Sequence, residues 1–224
     1  VDRENARTII HIGLHKTAST YLQKEIFRGD AKGSDDQAFV YNPREILDAV
    51  IPIFEFRMVQ PQWRKNAGEV VDSWRSRNPR CTLLLSAESF SQVLYLNNFE
   101  EQLDLLKSVF VTFDLLIVLR NQADWVASVY KETLKSGDYQ FLDSFLNYNS
   151  GTNVFTPVQD RFNSNQFVIM DPRKANWLNL VQCSNEVANS VFVMCFEDLG
   201  ADRAGSLSEL YRWMKFSFST RGES

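Results

Sequence analysis

Unbroken apolar, β-branched stretches punctuate the chain at residues 8–13, 82–86, 115–119 and 191–196, with weaker ones at 38–41 and 166–170. They are short and continuous rather than alternating, the pattern of strands buried on both faces. Between most of them apolar residues return at helical intervals. Residues 99–110, 122–135 and about 173–182 read as helices, and Tyr21, Leu22, Glu25 and Ile26 begin another. Strand alternating with helix predicts an α/β fold, a three-layer sandwich around a central parallel sheet of about four to five strands.

Two of these strands run out into polar chemistry. Thr8 to Ile12 gives way at Gly13 to a turn holding Lys16, Thr17, Ser19 and Thr20, just where a helix restarts. A helix N-terminus carries unpaired N–H groups and the positive end of its dipole, so an ammonium and three hydroxyls beside it can converge on a phosphate or sulfate. On these residues alone, a plain strand-turn-helix with a solvated lysine and hydroxyl caps fits equally well. The turn is not a Walker A loop, because Lys16 precedes the hydroxyls and Gly13 is its sole glycine.

The second such strand, Leu115 to Leu119, empties into Arg120. Trp125, Val126, Val129 and Tyr130 then share a helical face, and Ser128 follows Arg120 by eight residues. A charge at the carboxyl end of a buried parallel strand lies where open α/β sheets bind ligands, and arginine with a hydroxyl makes a phosphate clamp. The other reading is a helix-start arginine paired with Asp124.

The loop His15-Lys16-Thr17-Ala18-Ser19-Thr20 resembles the 5′-phosphosulfate loop of the sulfotransferases, particularly the bacterial form His/Pro-Lys-Thr-Gly-Thr-Thr, with Ala18 in the place of glycine. Arg120-x7-Ser128-x-Tyr130 resembles the 3′-phosphate motif of the same family, Gln122 standing where many relatives have proline. Phe196-Glu197-Asp198-Leu199 resembles the family's Tyr-Glu-Asp-Leu strand end.

The resemblance implies a P-loop-NTPase-like sulfotransferase fold and 3′-phosphoadenosine-5′-phosphosulfate (PAPS) as donor, with adenosine 3′,5′-bisphosphate (PAP) as product and no required metal. The acceptor would be a hydroxyl or amine of a small molecule, carbohydrate or lipid. Lys16, Thr17, Ala18, Ser19 and Thr20 fall on the 5′ side of the donor and Arg120 and Ser128 on the 3′ side. Tyr21 and Phe196 fall near the adenine, Phe196 by stacking only because it lacks the tyrosine hydroxyl. Lys16 would stabilise the leaving phosphate, and Glu88, delivered by the apolar strand before it, would be the base. Glu88 as a helix cap or ion-pair partner is the competing reading, and His15 is the second candidate base. His11, within the strand, reads as a core or sheet-edge histidine. Glu197 and Asp198 read as caps for the helical segment from Ser206 to Trp213. Arg221-Gly222 faintly matches an Arg-Lys-Gly element without its lysine.

Composition narrows the field. The 224 residues predict one domain, residues 137–157 being either an acceptor-side lid or a helix and loop packed on the sheet. A net charge of −4 argues against nucleic acid as partner. No apolar window is long enough to span a bilayer, and the N-terminus is charged rather than signal-like. Three cysteines without metal spacing read as reduced thiols, which points to the cytoplasm. Two other functions fit a nucleotide-binding α/β chain. A small-molecule kinase would need an acidic metal ligand at a strand end, and a non-catalytic nucleotide-binding protein would have lost the base.

Overall fold

The computed structural model describes residues 7–14, 16–28, 31–33, 38–55, 61–90, 99–137, 139–155 and 172–218. Five strands form the central sheet: β1 (Thr8–Ile12), β2 (Ala38–Tyr41), β3 (Cys81–Ala87), β4 (Asp114–Leu119) and β5 (Ser190–Cys195). Their order is β2-β3-β1-β4-β5, and every pairing is parallel. The strand expected at 166–170 lies outside the described residues.

Alternation along β1 sorts the core into two layers. Ile10 and Ile12 face a cluster built with α2 (Arg44–Glu55), α3 (Pro61–Arg77), α4 (Phe99–Phe110), α5 (Gln122–Lys135) and α7 (Trp177–Val187). Ile9 faces a cluster holding Leu22 and Ile26, together with residues of α8 (Phe196–Ala201) and α9 (Arg203–Met214). The central strands β3, β1 and β4 are therefore covered on both sides, which is why they read as continuous apolar runs, whereas the edge strand β5, expected to be buried, keeps Val193 and Cys195 exposed. Helix α1 (Ser19–Tyr21) continues directly into a π-helical stretch, Leu22–Ile26.

Several boundaries depart from the sequence pattern. The helix expected near 173–182 starts at Trp177, because Asn176 caps it by accepting from the Asn179 N–H at 3.2 Å and a 3₁₀ turn occupies Pro172–Lys174. Glu197 and Asp198 sit in the first turn of α8, and Asp202 caps the helix holding Ser206 to Trp213, accepting from Gly205 N at 2.9 Å. Within 137–157, a short helix α6 (Leu142–Phe145) precedes a hairpin pairing Tyr148–Asn149 with Val154–Phe155. Phe145 is buried in the first core layer, whereas Tyr139 and Phe141 are 79% and 85% exposed. Core packing thus accounts for Phe145, while Tyr139 and Phe141 stay outside the core.

Candidate active site

Four adjacent strands deliver polar or aromatic residues at their carboxyl ends: Glu88 after β3, the Lys16 turn after β1, Arg120 after β4 and Phe196 after β5. Chain order turns back at β1, which has β3 on one side and β4 on the other, and such a switch point is where open parallel sheets leave a crevice.

The turn after β1 is built by close approach. A Cβ on Gly13 would stand 2.9 Å from Ser19 Oγ and 3.6 Å from Glu88 Cγ, so the turn, the helix start and the end of β3 meet at one point. Lys16 and Ala18 both adopt left-handed backbone, with φ of 63° and 61°. For a residue with a Cβ that conformation costs roughly 1–2 kcal/mol, and other contacts must hold it. Thr17 Oγ1 donates to the Leu14 carbonyl at 2.6 Å, Ser19 Oγ donates to the same oxygen at 3.3 Å, and Leu22 N–H closes on the Ala18 carbonyl at 3.0 Å. The protons of Thr17 and Ser19 are thereby committed to shaping the loop. Lys16 is partly exposed and Thr20 exposed, and the first N–H groups of a helix lack intrahelical acceptors.

Arg120 is half-buried and reaches back to this turn. Its Nη1 donates to the Lys16 carbonyl at 3.2 Å and its guanidinium lies 4.7 Å from the centre of the Phe196 ring, so it is engaged there rather than with Asp124. Trp177 Nε1 donates to the Arg120 carbonyl at 2.7 Å, and the same indole packs edge-on against Trp125 at 5.2 Å. Asn121 caps α5 through Ala123 N and Asp124 N, while its own N–H donates to Glu197 Oε1 at 2.8 Å. Ser128 is half-buried two turns into α5. Tyr130 turns away from the site, with its hydroxyl donating to Gln140 O at 2.6 Å and its ring against Phe145.

The Lys16 ammonium lies 3.0 Å from Glu132 Oε2, one helical turn beyond Ser128. Tyr21 and Phe196 pack against the second core layer, and the Arg203 guanidinium stands 5.3 Å from the centre of the Tyr21 ring. Glu88 opens a 3₁₀ turn, Glu88–Phe90, and is half-buried. His15, Arg221 and Gly222 lie outside the described residues.

His11 is fully buried on β1. Its Nδ1 shares a 2.7 Å hydrogen bond with Ser86 Oγ, which also accepts from Gln23 Nε2 at 3.0 Å, and its Nε2 is buried with no hydrogen-bond partner. Burial pushes the imidazole down to about 4, with the Glu88 carboxylate pulling the other way. A ring held neutral in the core has no access to an acceptor, so His11 belongs to the sheet.

Sequence reasoning missed Glu132, Trp177 and Arg203. Glu132 carried a readable signal, since it follows Ser128 by one turn on the same helix face. Trp177 and Arg203 carried none, because their partners are set by how distant helices pack.

A crystal structure of a sulfotransferase from Alicyclobacillus acidocaldarius aligns with the chain at a TM-score of 0.59 and 13% identity, covering 97% of this chain and 85% of that one. The chain thus has a sulfotransferase-like α/β fold. No protein-family model and no curated protein sequence matches it. Among the described residues no helix is long and apolar enough to cross a membrane, and no group of three or more His, Cys, Asp or Glu is placed to hold a metal ion.

Proposed function

We propose that the protein is a PAPS-dependent sulfotransferase acting on a hydroxyl or amine acceptor. The observation that carries this reading is that Lys16 and Arg120 follow the neighbouring strands β1 and β4, with Arg120 Nη1 donating to the Lys16 main-chain carbonyl at 3.2 Å, on a sulfotransferase-like fold. A 3′-phosphorylated nucleotide carrying a 5′-phosphosulfate presents an anionic group to each of the two side chains.

In the proposed reaction the acceptor oxygen attacks sulfur in line with the bond to the 5′-phosphate. The new S–O bond forms as the old one breaks, and the bonding electrons leave with PAP. Negative charge grows on the leaving phosphate, where the Lys16 ammonium and the backbone N–H groups of the helix start stabilise it. Glu88, at the adjacent end of β3, takes the acceptor proton. Ser128 and Arg120 hold the 3′-phosphate, with Tyr21 and Phe196 offering rings to the adenine. A sulfuryl group carries less charge than a phosphoryl, so cationic side chains can do what magnesium does in kinases.

Transfer of radiolabelled sulfate from the donor across panels of sugar, phenol, amine and lipid acceptors tests the reading. With an active acceptor, Glu88→Gln should lower turnover by about 10²- to 10⁴-fold, the usual contribution of a positioned base. Undiminished turnover in that variant would remove Glu88 from the mechanism.

A further inference from the structure

The lysine assigned to the leaving group is already in an ion pair. Lys16 Nζ sits 3.0 Å from Glu132 Oε2, and Lys135 shares that oxygen at 4.0 Å. Both side chains of the main pair keep solvent contact, with 34% of Lys16 and 52% of Glu132 exposed. A pair of that exposure is weak and exchanges readily, because each partner can return to water at little cost. The Lys16 backbone, by contrast, is pinned: its carbonyl accepts from Arg120 and its φ is left-handed. A fixed backbone with a long, swinging side chain leaves the ammonium free to change partners without rebuilding the turn.

We propose that Glu132 is a built-in competitor for the donor, a positioning residue that holds the Lys16 ammonium over the site until a two-ended anion displaces it. The proposal rests on the donor reading above. Glu132 and Ser128 share α5, so a ligand whose 3′-phosphate engages Ser128 and Arg120 brings its 5′-anion to the lysine that Glu132 holds. A ligand anchored at one end must break the ion pair without that help. The pair therefore favours donors carrying both anionic ends over simple anions and nucleotides with a single phosphate.

The test is calorimetric titration of PAP into the full chain as wild type, Glu132→Gln and Glu132→Asp, at low and high salt. Removing the competing carboxylate should tighten PAP about two- to fivefold at low salt, with the gain shrinking in roughly 0.5 M salt as screening weakens the pair. Glu132→Asp keeps the charge but shortens the reach, and should fall between the other two. A damaged fold would weaken binding, so a gain in affinity separates this role from a structural one. In parallel, acetylation of Lys16 by a soluble N-hydroxysuccinimide ester, read by peptide mass spectrometry against Lys131, should speed up several-fold in Glu132→Gln without any ligand. PAP binding that is no tighter in Glu132→Gln than in wild type would overturn the proposal and leave the donor reading standing. Absence of PAP binding in all three proteins would overturn the donor reading, and this proposal with it.

Discussion

Arg120 Nη1 donates to the carbonyl oxygen of Lys16 at 3.2 Å, across 104 positions of sequence. Arg120 therefore helps hold the shape of the Lys16 turn, and in the reaction proposed above it also offers charge to the 3′ side of the donor. Arg120→Ala should weaken PAP binding by roughly 10- to 100-fold, from the lost charge-assisted contact and the loosened turn together. Arg120→Lys should recover little of it, since an ammonium lacks the planar fork that stacks on Phe196 and donates sideways to the carbonyl. Calorimetry on the two variants checks both statements.

Ala18 is held at φ 61° where the resembled loop has glycine. Glycine adopts that backbone freely, so Ala18→Gly should relieve left-handed strain and stabilise the protein by about 0.5–1 kcal/mol. The corresponding rise in melting temperature is about 1–4 °C for a chain of this size. A drop on thermal unfolding would show that the turn is not strained at this position.

Gly13 is the opposite case. Its added Cβ would meet Ser19 Oγ at 2.9 Å and Ser19 Cβ at 3.3 Å. The hydroxyl can rotate aside only by leaving the Leu14 carbonyl, and the Cβ contact forces the helix start outward. Gly13→Ala should cost about 1–3 kcal/mol and weaken PAP binding at the same time, because the displaced segment is the one that presents Lys16. Thermal unfolding and calorimetry on this variant give the two readouts.

The buried His11 makes stability depend on pH. Its folded pKa is lowered to about 4 from an ordinary 6.5, so the unfolded chain binds the proton more readily. The His11 contribution is whole above pH 6.5 and is lost as pH falls towards 4, with about 2 kcal/mol gone by roughly pH 5. Denaturant unfolding between pH 7.5 and 5 should show this loss in the wild type and a shallower one in His11→Gln. Equal slopes would mean that His11 titrates normally.

The sheet was legible because burial on both faces writes itself as unbroken apolar runs in β1, β3 and β4, and the half-exposed edge strand β5 carries a similar run, all four falling within a residue or so of the expected bounds. Lys16 and Arg120 were legible as separate strand ends. Their hydrogen bond was not, because it depends on β1 lying next to β4, a choice of strand order that no local pattern encodes. The role of Thr17 and Ser19 is likewise set only by the folded turn: a hydroxyl beside a helix start serves a ligand or its own loop equally well in sequence, and here both donate to the Leu14 carbonyl. The short antiparallel pairing of Ala31–Gly33 with Phe216–Phe218 is too brief to leave a periodicity.

In the proposed site, Lys16 and Arg120 share the reception of a nucleotide with anionic groups at both ends. This is tested most directly by titrating PAP, adenosine 5′-monophosphate and ATP into the protein, each with a chelator and with magnesium. PAP should bind independently of magnesium, at least about tenfold more tightly than the 5′-monophosphate, and roughly 10- to 100-fold more weakly in Arg120→Ala. Equal affinity for PAP and the 5′-monophosphate, or binding only of ATP with magnesium, would contradict it.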